Sequence, residues 1–163
     1  METRSIEAII KALNDAGIEY LVVGGLAVNA HGFVRLTRDV DLVIRLESKN
    51  IERGLNCLFE IGYQIAIPVE MKDVLDPEMR AVWKREKQML VLKLWSDRHQ
   101  RTPIDIFIYE PFEFTAERAQ AMLQEVAPGV EAAFLSLPAL LQMKREAGRP
   151  QDLLDIEELI RVQ

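Results

Sequence analysis

The chain has 163 residues, of which 49% are hydrophobic and 28% charged, and its formal net charge is -6. This length fits one domain with its own core, and the composition excludes a disordered or fibrous chain. The acidic balance argues against non-specific nucleic-acid binding, although a positive excess over residues 84–101 leaves a local contact open. The sequence has no apolar run near the roughly 20 residues that span a bilayer and no signal-peptide pattern, so we expect a cytoplasmic protein.

Helices and strands alternate along the sequence. Helices are predicted where apolar residues recur every three or four positions between capping residues and glycines, and strands where short apolar runs lie between turn residues. The predicted helices are one that begins at Ser5 and ends before Gly17, a short one over 26–30 after Gly24-Gly25, one from Ser48 or Asn50 through Ile61, one over 73–87, one from Pro138 through Glu146, and one from Asp152. The predicted strands cover 20–23, 39–46, 63–67, 89–95 and 103–108, the last two forming a hairpin.

Several residues with reactive or aromatic side chains are assigned structural roles. Cys57 lies among apolar residues and is predicted to be a buried thiol. Trp83 and Trp95 fall in helical and strand patterns as core or half-buried residues. His31 and His99 have no Cys or His partner at the spacing of a zinc site, so we expect them to be structural or solvated.

Three aspartates are candidates for a metal-dependent phosphate site. Asp39 and Asp41 are one residue apart in a predicted strand, and Asp105 lies in a later one. Alternate residues of a strand point to the same face, so Asp39 and Asp41 should project together. Such a density of charge needs compensation, which two divalent cations about 3.5–4 Å apart would supply. The alternative, three solvent-facing strand residues, goes against the low strand propensity of Asp.

The pair Gly24-Gly25 stands at a predicted strand-to-helix turn. Glycines let backbone N–H groups approach a ligand, and a helix N-terminus presents unpaired donors to a phosphate. The pair can also be a plain tight turn. The spacing matches neither the P-loop nor the Gly-x-Gly-x-x-Gly pattern, so the common nucleotide-binding loops are disfavoured.

Together these residues resemble the DNA polymerase beta-type nucleotidyltransferase superfamily, whose pattern is Gly-Gly or Gly-Ser, a spacer, Asp-x-Asp on a strand, and a third acidic residue on a neighbouring strand. Here the pattern reads Val-Val-Gly-Gly-Leu-Ala, then Arg-Leu-Thr-Arg-Asp-Val-Asp-Leu-Val-Ile, then Ile-Asp-Ile-Phe. The lead-in from Arg35 to Asp39 and the tail Met-Lys-Arg-Glu-Ala-Gly-Arg-Pro-Gln-Asp resemble the minimal, abortive-infection toxin-like branch. The resemblance covers most of the chain, but residues 64–88 and 110–130 carry no recognised motif.

The resemblance implies roles for the glycines and the aspartates. Gly24 and Gly25 would bind the triphosphate, and Asp39, Asp41 and Asp105 would ligate magnesium. Asp105 would also help to deprotonate the acceptor hydroxyl, because a carboxylate beside two cations stays ionised and can accept a proton at neutral pH.

The resemblance also implies that Lys144 is catalytic and reaches the triphosphate. Without the resemblance, a lysine on a surface helix would be interpreted as a solvated side chain. Arg38 is predicted either to contact phosphate or to balance the nearby aspartates. The roles of Arg35, Arg149 and Asp152 stay open, since the last two can also form an ion pair and a helix cap.

We therefore expect an α+β fold, a nucleotidyltransferase-type mixed β-sheet flanked by helices with a small C-terminal helical tail. Residues 1–163 would form a single domain, with a catalytic sheet core over 1–110 and a mainly helical segment over 111–163. The implied activity is magnesium-dependent transfer of a nucleoside monophosphate from a nucleoside triphosphate to an acceptor hydroxyl or phosphate, with release of pyrophosphate.

The acceptor is left open among tRNA or other RNA, a protein side chain and a small molecule. The toxin-like branch adds the prediction of an antitoxin-like partner protein, and no membrane partner is expected. Two alternatives remain: a nucleotide-binding module of the same fold without turnover, part of a two-component system, and a dimerisation domain whose acidic face is merely solvated.

Overall fold

The protein is described by a computed structural model of residues 1–163, which contains seven strands and eight helices. None of the helices is long and apolar enough to cross a membrane. The strands are β1 (Tyr20–Val23), β2 (Val40–Ile44), β3 (Gln64–Ile65), β4 (Val91–Trp95), β5 (Ile104–Phe107), β6 (Met122–Ala127) and β7 (Val130–Phe134). The helices are α1 (Thr3–Asp15), α2 (Gly24–Ala30), α3 (Ser48–Glu60), α4 (Met71–Leu75), α5 (Pro77–Lys87), α6 (Phe114–Ala119), α7 (Leu137–Ala147) and α8 (Pro150–Arg161).

All seven strands belong to one mixed sheet with the order β3-β4-β5-β2-β1-β7-β6. β2 runs antiparallel to β1 and parallel to β5, and β4 and β5 form the predicted antiparallel hairpin. The register pairs Asp41 with Val23 of β1 and with Asp105 of β5. The α+β fold with a mixed sheet flanked by helices is confirmed, and its central strands bring two of the predicted acidic residues side by side.

The core forms on the central strands because their sequences are almost entirely apolar. All four residues of β1 are buried, and so are four of the five residues of β2, Asp41 being the partly exposed exception. Cys57 and Trp83 are buried as predicted, while Trp95 is 41% exposed. Apolar side chains of α1, α3, α7 and α8 join the same core cluster.

The first helix does not begin where Ser5 suggested. It begins at Thr3 with Glu2 as the N-cap residue, and Ser5 is buried inside the helix. The Ser5 hydroxyl lies 2.9 Å from Nδ1 of His99, whose ring stacks on Tyr63. Ser5 and His99 therefore have structural roles, docking α1 onto the loop between β4 and β5.

The helix predicted over 73–87 is two helices, α4 and α5. Asp76 adopts an extended conformation with ψ 115° before Pro77, because the proline ring disfavours a helical residue in front of it. Asp76 then caps α5 by accepting a hydrogen bond from the Glu78 N–H at 2.9 Å. The last helix begins at Pro150, two residues before the predicted start at Asp152, with Arg149 as its N-cap residue.

The hairpin of β6 and β7 was not predicted. β7 pairs in parallel with β1, so this hairpin extends the sheet beyond residue 110. β6 is the edge strand, and three successive residues of it, Leu123, Gln124 and Glu125, are exposed. A strand without a buried face lacks the alternation of apolar and polar residues by which strands are recognised.

Candidate active site

A cleft of about 430 Å³ opens between the central strands and the two C-terminal helices. One wall carries Gly24, Asp41 and Asp105, and the facing wall carries Lys144 and Arg149. The side of the cleft formed by α7 and α8 therefore carries two cationic side chains beside two further carboxylates, Glu146 and Asp152. Its apolar lining includes Leu90, Phe107, Tyr109, Pro111, Leu140 and Met143.

The aspartates form one electrostatic cluster. Asp41 and Asp105 are register partners on parallel strands, and Asp39 directly precedes the first residue of β2. Burial, followed by repulsion from Asp39 and Asp105, raises the pKa of Asp41 to about 7 from its ordinary value of 3.8, although the backbone N–H of Gly25 and the charge of Arg149 act in the opposite direction. The pKa of Asp105 is also raised, mainly by burial, while Lys93 opposes that shift.

One oxygen of this cluster is orphaned. Oδ1 of Asp105 is buried and accepts no well-formed hydrogen bond, and the Lys93 ammonium 3.2 Å away makes only a charge contact. A buried polar atom without a partner is costly and needs an explanation, and a ligand at the site is one.

The three aspartates fit divalent cations in their chemistry. Carboxylate oxygens are the ligands that Mg²⁺ prefers, and a cation would relieve the repulsion that raises the pKa of Asp41. No three Asp, Glu, His or Cys side chains surround one point closely enough to form a ready metal cage. Ligation by Asp39, Asp41 and Asp105 stays a prediction, supported by their shared charge and by the orphaned oxygen of Asp105.

The two glycines allow the turn before α2 to lie directly against the acidic strand. Gly24 has φ +62°, and a Cβ there would stand 1.9 Å from Oδ2 of Asp41. At Gly25 a Cβ would stand 2.4 Å from Oγ1 of Thr37, in the segment that leads to Asp39. Glycine is required at both positions because a side chain would displace Asp41 or the lead-in segment.

Lys144 is 5% exposed, so the alternative of a solvated surface lysine is wrong. Its Nζ lies 3.1 Å from Oδ1 of Asp152 and 2.6 Å from Oδ2 of Asp155. Burial raises the pKa of both aspartates, but the hydrogen bonds they accept from cationic side chains outweigh that effect and hold each pKa below its ordinary range. Lys144 therefore reaches the cleft wall as part of a buried ion network.

The arginines left open by the sequence have distinct positions. Arg149 donates from Nε to Oδ2 of Asp152 at 2.6 Å, and Asp152 accepts from the Arg149 backbone N–H, so the pair caps α8. Arg35 donates two hydrogen bonds to Asp155. Arg38 is exposed. The network thus joins the segment before Asp39 to α7 and α8.

Asp155 is the member of this network that sequence reasoning missed. A helical wheel could have indicated it, because Asp152, Asp155 and Leu159 recur at the spacing of one helix face and Leu159 is apolar. Leu153 and Leu154, which an amphipathic reading would bury, are exposed instead. The helix is therefore turned with Asp152 and Asp155 inward.

No protein-family model and no curated protein sequence matches the chain, whereas several solved structures superpose on nearly all of it. The lincosamide antibiotic adenylyltransferase LnuA, solved with lincomycin bound, gives a TM-score of 0.62 at 15% identity over 95% of this chain and 94% of that chain. ANT(2'')-Ia in complex with adenylyl-2''-tobramycin gives 0.59 at 13% identity over 96% and 86%. An antigenic nucleotidyltransferase-like protein from Paracoccidioides brasiliensis gives 0.56 at 16% identity over 98% and 75%. At these identities the likeness is one of fold.

The raised pKa of Asp41 predicts how stability depends on pH. Its folded-state pKa of about 7 lies above the ordinary 3.8, so between these values the folded protein binds more protons, and its free energy of unfolding without metal falls as pH rises. Asp41→Asn removes this fall, by roughly 1.4 kcal/mol for each pKa unit of the true shift. Urea unfolding with chelator at pH 4, 6 and 8 should show that the free energy of unfolding of Asp41→Asn, relative to that of wild type, rises with pH. An exposed control, Asp97→Asn, should not; equal pH dependence of Asp41→Asn and wild type would contradict the prediction.

Burial of Lys144 predicts a large stability cost for removing its charge. Lys144→Met keeps most of the side-chain volume but leaves Asp152 and Asp155 without the shared ammonium, and breaking a buried pair costs about 3–5 kcal/mol. The control is Lys11→Met, whose ion pair with Asp15 is exposed and contributes at most about 1 kcal/mol. Urea denaturation of both variants measures the difference. Similar small losses of stability in both variants would show that the Lys144 ammonium is solvated and not held in a buried ion pair.

The close contact at Gly24 predicts a position-specific effect of alanine. Gly24→Ala adds a Cβ against Asp41, whereas Gly129→Ala, with φ +74°, meets nothing within 4 Å. Both variants pay the left-handed backbone cost of about 1–2 kcal/mol, but only Gly24→Ala should lose more and also weaken Mn²⁺ binding, because Asp41 must move. Thermal unfolding and Mn²⁺ titration test this. Equal losses at the two glycines would show that the contact is unimportant.

Proposed function

We propose that this chain, which has the fold of the nucleotidyltransferases, transfers a nucleoside monophosphate from a nucleoside triphosphate to an acceptor hydroxyl or phosphate and releases pyrophosphate. The observation that carries the proposal is the in-register pair Asp41 and Asp105, which with Asp39 forms an acidic cluster facing Lys144 and Arg149 across one cleft. A structural or dimerisation domain would gain nothing from gathering carboxylates whose charges burial and mutual repulsion disfavour.

The residues of the cleft divide the work between binding and proton transfer. Magnesium ions, held by Asp39, Asp41 and Asp105, would supply charge stabilisation for the attacking and leaving oxygens. Oδ1 of Asp105 is buried with only the Lys93 ammonium near it, at 3.2 Å, and in this proposal the carboxyl, held ionised by the cations, accepts the proton of the acceptor hydroxyl. The catalysis of the chain itself is therefore mostly orientation and charge complementarity.

The triphosphate is assigned to the space between the glycine turn and α7. Gly24 and Gly25 leave the turn free of side chains, and Lys144 and Arg149 bring positive charge to the opposite wall. A lysine ammonium has three N–H donors, and Asp152 and Asp155 take two of those of Lys144. The third is available to a phosphate oxygen. Arg38, exposed beside Asp39, is a further phosphate contact in this proposal.

Two considerations bear on the acceptor class, and they favour different acceptors. The enzymes LnuA and ANT(2'')-Ia, with bound lincomycin and adenylyl-tobramycin, favour a small-molecule hydroxyl by analogy. The toxin-like sequence resemblance favours RNA and an antitoxin-like partner. The apolar cleft lining, which includes Phe107 and Tyr109, would accommodate a nucleobase with either acceptor.

The experiment that identifies the acceptor is incubation with each α-labelled nucleoside triphosphate, magnesium and total cell lysate, followed by separation of RNA, protein and small molecules. Label in one fraction names the acceptor class, and a panel of lincosamides and aminoglycosides extends the small-molecule arm. Binding of nucleotide without pyrophosphate release from any mixture would instead indicate a catalytically silent module.

We predict that Asp39→Asn and Asp41→Asn each reduce nucleotidyl transfer to the rate without protein. Each substitution removes a negative charge from the cation site while keeping the side-chain shape, so the fold should persist and the melting temperature should not fall. Pyrophosphate release beside circular dichroism makes the measurement. Asp97→Asn, an exposed change on the loop after β4, is the matched control and should transfer normally. Near-normal turnover by either cluster variant would refute the two-metal assignment.

A further inference from the structure

Asp155 is a buried carboxylate whose acceptor capacity is fully used. It is 0% exposed, and it accepts from Nε and Nη2 of Arg35 at 2.6 and 2.8 Å, from Nζ of Lys144 at 2.6 Å and from Nε2 of Gln151 at 2.9 Å. A carboxylate offers about four lone-pair sites, so none remains for a ligand. Asp155 can therefore act only through the residues that it contacts.

The first of these is Arg35, in the extended segment that leads to Asp39. Its backbone N–H donates to Oδ1 of Asn29, and its carbonyl accepts from Nδ2 of Asn29, each at 3.0 Å, so its main chain is fixed to α2 while its side chain is fixed to α8. The flanking side chains cannot anchor the segment, because Val34 is 81% and Leu36 95% exposed. Arg35 therefore ties the chain before Asp39 to both α2 and α8.

The second is Lys144, in the wall of the cleft. Asp152 and Asp155 together hold its ammonium from the side of α8. Asp155 thus contacts both a residue that orders the approach to the acidic cluster and a cation of the opposite wall. No other side chain in the structure forms ion pairs with both.

We propose that Asp155 is a positioning residue for nucleotidyl transfer, acting through Arg35 on the placement of Asp39 and through Lys144 on the cationic wall; this rests on the proposed function. Arg35 is accordingly a clamp and not a phosphate ligand, since its Nε and Nη2 are committed to Asp155 and its Nη1 to the Leu36 carbonyl at 2.9 Å. The network makes the geometry of the acidic cluster depend on the docking of the last helix.

A purely structural ion network would lower stability when broken but would leave the cleft of the folded molecule unchanged. The two roles therefore differ in the folded state. The variant is Asp155→Asn, which keeps the shape and removes the charge, with Arg35→Lys as a milder change that keeps the positive charge and loses the two-point contact.

The control is Tyr63→Phe. It removes the buried hydrogen bond from the Tyr63 hydroxyl to the Thr102 carbonyl, and neither of these residues lines the cleft. Such a loss destabilises the fold without touching the Arg35 segment, so it matches the stability effect alone. All proteins are compared at a temperature where each is folded.

Three measurements decide the matter: amide hydrogen exchange over 33–39, Mn²⁺ affinity, and the rate and nucleotide KM of transfer. In Asp155→Asn we expect exchange of the two hydrogen-bonded amides of this segment, those of Phe33 and Arg35, to rise at least about tenfold, Mn²⁺ binding to weaken and kcat to fall, with Arg35→Lys intermediate and Tyr63→Phe unchanged in all three. Unchanged exchange and Mn²⁺ affinity, or a loosened segment with an unchanged rate, would overturn the positioning role.

Failure of the proposed function is distinguishable from failure of this inference. If wild type transfers no nucleotide to any acceptor, the proposed activity is wrong, and exchange over 33–39 with Mn²⁺ affinity still tests whether Asp155 orders the acidic cluster. If Asp155→Asn does not fold, Arg35→Lys carries the same comparison with the same two outcomes.

Discussion

Three partly buried carboxylates gathered at one place are the constraint on which this structure depends, because desolvation and then mutual repulsion disfavour their charges. Asp41 and Asp105 stand side by side on the central strands of an otherwise apolar sheet, with Asp39 next to them. The raised pKa of Asp41, about 7, expresses the cost of gathering these charges away from water. A fold maintains such an arrangement where a ligand of opposite charge offsets the cost.

The surroundings of the cluster are explained by the same constraint. Glycine at positions 24 and 25 leaves room for Asp41 and for the lead-in segment, so the turn is shaped around the carboxylates. Lys144 and Arg149 form ion pairs with Asp152 of α8 on the side of the cleft that α7 and α8 line. In the proposed function, a magnesium–triphosphate substrate would lie between these two cations and the aspartates of the central strands.

Much of this arrangement was predictable because it follows from local patterns. Strand alternation pointed to Asp39 and Asp41, and the apolar run around Asp105 placed it on a second strand. The resemblance to the polymerase beta-type nucleotidyltransferases is confirmed in the fold. The toxin-like branch and the roles of the site residues stay predictions.

The parts that were missed depend on long-range contacts. The helix face shared by Asp152, Asp155 and Leu159 is the one local signal for Asp155, but its partner Arg35 is distant in sequence and no local pattern reveals that contact. Lys144 is buried because Asp152 and Asp155 of the next helix hold its ammonium. The β6–β7 hairpin escaped because its edge strand exposes Leu123, Gln124 and Glu125 in succession. Ser5 was predicted to cap a helix from its position before an apolar pattern. Its hydroxyl instead contacts His99 of the β4–β5 loop, a contact that no local pattern indicates.

The central claim is that the acidic cluster is a cation site, and proton release on magnesium binding tests it most directly. Calorimetry in buffers of different ionisation enthalpy at pH 7 measures the protons released per ion bound. Because the pKa of Asp41 is raised to about 7, wild type should release a measurable fraction of a proton, and Asp41→Asn should release less and bind more weakly. Magnesium binding of equal strength in both proteins, without proton release in either, would contradict the account.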